Sequence, residues 1–375
     1  MTRASDTARL LGAGGSILGS LDVGGGQIGG RRNIVINGAM QVAQRSASVT
    51  GIGASSGYFT LDRWTLSLGN TAGRFTMSQT ADGPVGFANC MKLDCTTADA
   101  SIAAGEVLVL QQHIEGQDVQ AIGKGVTGAK QITLSFYVKA NAAFTFNAEI
   151  QDLDNARTNG KAFATTTDWV RHEITFEADA DDGSSPFDDD NAKSLSVNFW
   201  LHGGSTYTGG TLASGWENRT DANRADGISS FFSSTDNNFF ITGVQMEVGS
   251  VATPFEHRSF GDELALCQRY FQELCNGIAD NAVANMSYYT ATLVLGHVKL
   301  NTEMRAAPTL TVADVTHFTV YSGATGKALS ALVIGGTWSK KTIRLDGTTA
   351  TATLGRAGTM QTNNTASSIQ LNSEL

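Results

Sequence analysis

Hydrophobic and polar residues alternate along most of this chain. The clearest run is QITLSFYVKA at 131–140: Ile132, Leu134, Phe136 and Val138 share one face, and Thr133, Ser135, Tyr137 and Lys139 the other. A period of two marks a strand with one face in a core. FTFNAEI at 144–150 repeats it, with Phe144, Phe146, Ala148 and Ile150 inward. LDRWTLSLG (61–69), RFTMSQT (74–80), EVLVLQQHIEG (106–116), WVRHEITFEAD (169–179), SLSVNFWLHGG (194–204) and NFFITGVQMEVG (238–249) read the same way. NIVINGAMQVAQR at 33–45 reads as a strand, an Asn37-Gly38 turn and a second short segment. No helices alternate with these strands, which excludes a parallel α/β fold. The pattern predicts an all-β chain with a jelly-roll-like β-sandwich over 33–258.

One stretch breaks the period. Between Asp262 and Asn276, Leu264, Cys267, Phe271 and Leu274 recur at helical spacing, and Leu266 and Tyr270 form a second row. This predicts one connecting α-helix within 259–276, with Asp262 as N-cap and Gly277 just past its end. Two apolar rows call for two surfaces: the sandwich, and either the C-terminal part or another subunit. Strand patterns then return in SYYTATLVLGHVKL, TLTVADVTHFTVYSG, ALVIGGTW, TIRLDGTTATATLG and the terminal SSIQLNSEL, predicting a smaller C-terminal β-domain over 277–375. At the other end, residues 1–32 set single aliphatic residues between glycine clusters and cannot build a core. They are read either as a disordered tail or as a docking peptide that orders on a partner.

Composition narrows the functional classes. A net charge of −9 with no Lys/Arg stripe argues against nucleic acid as a partner. No run approaches the ~20 apolar residues of a membrane span, and no secretory signal is visible, so membrane insertion and classical export are not expected. Cys90, Cys95, Cys267 and Cys275 have no metal-ligand spacing. Cys90 and Cys95 are close enough in sequence to pair, but buried thiols are the expectation. GxSxG, HExxH and P-loop motifs are absent, and the Gly-rich runs lack a strand–Gly–helix context, so no catalytic residue is assigned. The Asp179–Asp190 loop, ADADDGSSPFDDDNAK, reads as a solvated loop. Its alternative is a structural Ca2+ held by Asp oxygens and turn carbonyls, although the spacing is not that of an EF-hand. No cofactor or metal is otherwise expected.

The outward positions of three strands carry the candidate chemistry. Tyr137 and Lys139 alternate outward on one strand, Asn147 and Glu149 on the next, and Asn198, Trp200 and His202 on a third. An outward Trp has three readings: a subunit interface, a face where a sugar ring stacks on indole while Asn, Glu and His bond its hydroxyls, or a surface covered by a loop. Trp216 and Tyr207, in a Gly-rich loop, carry the same ambiguity. The candidate glycan-binding residues are Tyr137, Asn147, Glu149, Asn198, Trp200 and His202.

Several words in order add a resemblance. NIVINGAMQVAQR, LDRW, ITLSFYVKA, TTDWVRHEITFEAD, ITGVQMEVGSVATPFEHRSFGDELALCQRYFQEL and MRAAPTL, spread over 33–310, resemble a family of bacteriophage tail fibre proteins. Met246 stands where the family more often has Leu, Phe271 where it has a second Tyr, and Ala39 where it has an acidic residue. The resemblance implies a non-enzymatic, receptor-binding virion protein of the tail, made in the host cytoplasm and assembled as a homotrimer. It implies that residues 1–32 dock to tail or baseplate proteins and that the chain touches a host-surface glycan or receptor. Leu264, Cys267, Phe271 and Leu274 would then lie near the three-fold axis, with the helix joining the jelly roll to a distal tip. Two alternatives remain: a structural fibre or adaptor that links the tail to a separate adhesin, and a glycan-degrading tailspike. The tailspike calls for a repeat-rich β-solenoid, and no such repeat occurs.

Overall fold

A computed structural model describes residues 31–180, 185–336 and 339–375. Of the segment 1–32, read above as tail or docking peptide, residues 1–30 lie outside the described residues. The chain divides into two compact units, one ending at Arg258 and the other beginning at Ser259. No helix among the described residues is long and apolar enough to cross a membrane.

The first unit contains β1 (Ser48–Ile52), β2 (Gly57–Tyr58), β3 (Thr65–Gly69), β4 (Arg74–Thr80), β5 (Cys90–Thr97), β6 (Val107–Glu115), β7 (Ile132–Ala140), β8 (Thr145–Asp152), β9 (Arg157–Ala164), β10 (Val170–Phe176), β11 (Lys193–Gly203), β12 (Glu217–Asn218) and β13 (Asn238–Val248). These strands form a six-stranded sheet, β1-β4-β5-β13-β7-β10, and a seven-stranded sheet, β12-β9-β8-β11-β6-β3-β2. The two sheets share one core, so the unit is a jelly-roll-like β-sandwich. Phe136 of the first sheet meets Phe163 and Phe199 of the second edge-on, with ring centroids 5.1 and 5.0 Å apart. The inward residues expected on β7 and β8 are in that core. Ser48–Ile52, Cys90–Thr97 and Arg157–Ala164 add strands that were not expected. In β9 only Phe163 supplies a large inward side chain, so its pattern is faint.

Residues 33–45 correct an expectation: they form no strand but an irregular, largely buried segment. Side chains therefore satisfy much of its backbone. Asn37 does this for four groups: its Nδ2 donates to the carbonyls of Val42 (2.8 Å) and Asp62 (3.0 Å), and its Oδ1 accepts from the amides of Gln41 (2.9 Å) and Val42 (3.0 Å). Asn37 has φ 57°, a left-handed conformation that Asn tolerates better than most residues. Trp64 Nε1 donates to the Asn37 carbonyl at 3.2 Å. Asn33 ties the same segment to β13, donating to the Val244 carbonyl (3.0 Å) and accepting from the Met246 amide (3.1 Å). The Asn33 amide donates to Glu256 at 2.6 Å, and Arg258 donates to the Val35 and Asn33 carbonyls. Gly38 lies so near β13 that a Cβ there would come within 2.0 Å of the Val244 carbonyl oxygen.

The second unit opens with a helix that is shorter than its sequence pattern. The first α-helix among the described residues is α1 (Ser205–Thr208); this one is α2 (Phe260–Gln268). Its N-cap is Ser259, which accepts from the Asp262 amide, and not Asp262 as expected. Residues Phe271–Asn276 form strand β14, which pairs antiparallel with β22 (Ser368–Asn372). Phe271 and Leu274 are thus strand residues, and the row Leu264, Cys267, Phe271, Leu274 is not one helix face. Cys267 and Phe271 are buried by the chain's own atoms, Leu264 is half-buried, and Leu274 packs on this unit's core. The three-fold contact expected of Cys267 and Phe271 therefore has no exposed side chain to make it.

The remaining strands are β15 (Ala282–Tyr288), β16 (Leu293–Lys299), β17 (Thr309–Val312), β18 (Phe318–Ser322), β19 (Thr325–Ile334), β20 (Thr342–Thr349) and β21 (Ala357–Thr362). Strands β15-β16-β20-β19-β18-β21 close into a barrel, and β14-β22-β17 form a three-stranded sheet. Met286, Tyr288, Val294, Phe318, Val320 and Leu345 belong to the core of this unit. Closure removes the free edges that an open sheet of short strands would leave. All four cysteines are buried thiols.

Asn37→Ala removes the side-chain partner of four backbone groups, of which the Val42 carbonyl keeps the Asp62 amide at 3.1 Å and three are left without it. At roughly 1–3 kcal/mol for each unsatisfied group, the sandwich should lose at least about 3 kcal/mol. Chemical denaturation followed by Trp fluorescence measures this; a loss under about 1 kcal/mol would show that the segment is held without Asn37.

Candidate functional site

The six residues assigned to one glycan face do not share a face. Tyr137 lies on β7 in the six-stranded sheet, while Asn147, Glu149, Asn198, Trp200 and His202 lie on β8 and β11 in the seven-stranded sheet. The sheets pack back to back, so outward on one is opposite to outward on the other. Alternation on β11 holds: Leu195, Val197, Phe199 and Leu201 enter the shared core, and Trp200 does not. Yet Asn147, Glu149, Asn198, Trp200 and His202 are all buried. The covering-loop reading of Trp200 is the one the structure bears out. The crossing segment after β11 lays Tyr207 against Trp200 at 5.3 Å, and Ala225 and Ile228 complete a small apolar cluster with Val107 and Val109. Trp216 packs on the main core and donates to the Glu177 carbonyl at 2.7 Å.

Under this cover is a polar network centred on Glu149. Its carboxylate accepts from Arg224 Nε (2.9 Å) and Nη2 (2.8 Å), from Asn198 Nδ2 (2.7 Å) and from Trp200 Nε1 (3.1 Å). The Arg224 guanidinium also lies 4.7 Å from the centroid of the Trp200 ring. Burial works against its charge, but the Glu149 carboxylate outweighs that and raises the Arg224 pKa above its usual value. Asn198 Oδ1 accepts from Gln111 (2.9 Å) and from Ser196 (2.6 Å), and Ser196 reaches His113 Nδ1 at 3.1 Å. Burial, with the nearby Lys193 and Arg63, pushes the His113 pKa down to about 3. His202 sits between Glu106 (3.0 Å) and Ser230 (2.8 Å), and burial lowers its pKa against the pull of Glu106. The polar groups of Glu149, Asn198, Trp200 and His202 assigned to sugar hydroxyls already have partners in the protein, and Asn147 donates to the Arg224 carbonyl while its buried Oδ1 has no partner. The network locks the cover to the sheet and is not a binding surface.

The outer face of the six-stranded sheet is different. Register places Lys92 of β5 beside Phe240 of β13, and Phe240 beside Lys139 of β7. Val170 pairs with Val138, so Trp169, just before β10, continues the row next to Lys139. All four side chains are half-buried. Trp169 and Phe240 meet at 6.3 Å and 75°. The Lys139 ammonium lies 4.7 Å from the Phe240 centroid and 5.3 Å from that of Trp169, and Lys92 lies 5.6 Å from Phe240. Each lysine has an aspartate: Lys139 with Asp82 at 2.7 Å and Lys92 with Asp94 at 3.0 Å. Trp169 Nε1 and Asn238 Oδ1 find no hydrogen-bond partner in the protein. Farther along this face Tyr137 packs on Phe87 (5.3 Å), and Phe87 on Phe255 (5.0 Å) and His257 (5.2 Å). Of the assigned residues, only Tyr137 belongs to this face. Alternation in the sequence gives Lys139 as outward but does not single out Trp169 or Phe240; the signal for them is a Trp directly before an alternating strand.

The acidic loop offers less than its sequence suggests. Arg157 grips Asp179 through Nε (2.8 Å) and Nη2 (3.0 Å), and Asp190 accepts from the Ala192 amide at 2.8 Å. Asp181 and Asp182 lie outside the described residues. Among the described residues no group of three His, Cys, Asp or Glu side chains is placed to hold a metal ion.

No family model matches the chain, and no curated protein sequence does. Solved structures similar to it include CBM4, at 13% identity over 56% of this chain and 97% of that one, with a TM-score of 0.31. The family 11 carbohydrate-binding module of a cellulosomal cellulase of Clostridium thermocellum is similar at 13% identity over 56% and 99%, TM-score 0.28. TmCBM61 in complex with β-1,4-galactotriose is similar at 9% identity over 58% and 99%, TM-score 0.30.

Two outcomes check the buried network. Arg224→Ala leaves the Glu149 carboxylate buried without its cation, which should cost about 3–5 kcal/mol in a denaturant titration. A cost near zero would show that the cover is not held by this pair. The second outcome concerns pH. His113 has a folded pKa below its unfolded value of about 6.5. Its neutral form therefore contributes stability that is present above pH 6.5 and is lost as pH falls toward 3. By pH 5 the loss should be about 2 kcal/mol, and His113→Gln should flatten the slope of stability against pH between these limits.

Proposed function

We propose that this chain is a non-enzymatic attachment protein of a bacteriophage tail, which holds sugar chains of the host surface on the open face of its sandwich. The ordered words shared with tail fibres support the viral part of this reading. The observation that carries the sugar part is the row Lys92, Phe240, Lys139, Trp169 across the six-stranded sheet. Sugar rings present C–H faces that stack on aromatic rings and hydroxyls that need donors and acceptors at the rim. Trp169 and Phe240 supply the rings. Lys92 and Lys139 supply donors, Asp82 and Asp94 supply acceptors, and the Trp169 Nε1 donor has no acceptor in the protein to give up.

One such face binds weakly, with a Kd on the order of millimolar, or about −4 kcal/mol. Three copies per fibre, as the resemblance implies, raise the avidity by roughly 10²–10⁴ with no new contact. Contacts between the copies fall on residues other than Cys267 and Phe271, which are buried within the chain. Residues 1–32 are the expected link to tail or baseplate proteins.

The test is Trp169→Ala. Binding to host envelope polysaccharide in affinity electrophoresis should fall about ten-fold or more, since each ~1.4 kcal/mol of lost stacking is a factor of ten. The mass by light scattering should stay that of the wild type. If the mass drops instead, the row is a subunit interface; if neither changes, the sandwich does not read the host.

A further inference from the structure

We propose that the mouth of the C-terminal barrel is a second binding site, for a small hydroxylated anion such as an acidic monosaccharide unit. A pocket of about 210 Å³ opens there, lined by Tyr288, Ser322, Thr325, Lys327 and Arg356 with the loop at Thr351–Thr353. These residues come from one end of the barrel: the last residue of β15, the β18–β19 turn and the β20–β21 loop. The volume is below the ~300–1,000 Å³ of pockets for drug-sized ligands, which suits a single small ring.

Register shows which side chains enter the mouth. Lys327 pairs with Val320, a fully buried core residue, and directly paired residues share a face. Lys327 is therefore an inward-facing cation at the open end of the barrel. Arg356 stands across from it on the β20–β21 loop. Neither cation has an ion-pair partner among the described residues, although the chain as a whole carries a net charge of −9, and no carboxylate lines the pocket. Beneath them, Tyr288 is 2% exposed and its hydroxyl has no hydrogen-bond partner. A buried hydroxyl left unsatisfied costs free energy that a bound acceptor would recover. Two cations without counter-charge, above an orphaned hydroxyl and ringed by Ser and Thr, form a built receptor for a carboxylate or phosphate with hydroxyls beside it. That the anion is carried by a sugar rests on the attachment reading above; that the mouth takes an anion does not.

The full chain is titrated by calorimetry with D-glucuronate, D-glucose 6-phosphate, D-glucose and inorganic phosphate. The acidic sugars should bind saturably and D-glucose about ten-fold more weakly or not at all. Lys327→Gln and Arg356→Gln should each weaken D-glucuronate about ten-fold, whereas Lys341→Gln, an exposed cation at the other end of the barrel, should leave it unchanged. Tyr288→Phe keeps the ring packing and removes only the hydroxyl, so it should weaken D-glucuronate while the melting temperature holds or rises. Equal binding of D-glucose and D-glucuronate, or no saturable binding of any probe, would overturn the site. If inorganic phosphate binds as tightly as the acidic sugars, the sugar part of the proposal fails. If D-glucuronate binding survives both cation variants, the mouth is not where it binds.

Discussion

The sandwich depends on how one strandless segment is satisfied. Residues 33–45 are largely buried but join no ladder, so side chains must fill the hydrogen-bonding positions that a neighbouring strand would have filled. Asn37 makes four such bonds and Asn33 ties the segment to β13. Trp64 and Asp62 meet it from the LDRW word, and Glu256 and Arg258 from the TPFEHR word. Words far apart in the chain are thus the parts of one clasp. Two other words have a different part: ITLSFYVKA and TTDWVRHEITFEAD supply Lys139 and Trp169 of the aromatic row.

The two outer faces of the sandwich have opposite fates, and the difference is electrostatic as much as steric. On the seven-stranded sheet, Glu149 is a buried carboxylate that needs a cation, and Arg224 arrives on the crossing segment to provide it. Once that pair forms, Trp200 has a guanidinium on its ring and an acceptor for its N–H, so the face is closed. On the six-stranded sheet the charges sit on lysines whose aspartates lie beside them in β5 and in the loop before it. Among the described residues no segment is drawn across this row, and Trp169 and Phe240 are half-buried.

A comparable contrast divides the second unit. Its interior is apolar, with Phe318, Val320, Ile343, Leu345 and Met360 fully buried. At one end the inward pattern turns polar, through Ser322, Thr325 and Lys327. A barrel that is filled along its length but lined with cations and hydroxyls at its mouth keeps a rigid wall behind a wet opening. That combination favours recognition of a small polar group over a long apolar one.

The period of two determined a good deal without help. Most of the longer strands of the first unit, their inward faces and the all-β class follow from alternation, because a strand half-buried in a core must alternate. Alternation also showed that Trp200 points away from the core, but not what it meets there. That required the crossing segment, whose Arg224 is 24 residues beyond Trp200 and has no periodic signature. The same limit applies to the helix. Residues 260–276 carry a helical spacing, yet only Phe260–Gln268 are helical, because Phe271–Asn276 pair with β22 almost a hundred residues later. Local periodicity reports which side chains want to be dry. Which partner dries them is decided by contacts that close only when the whole chain has folded, and it was these contacts that covered the face carrying Trp200.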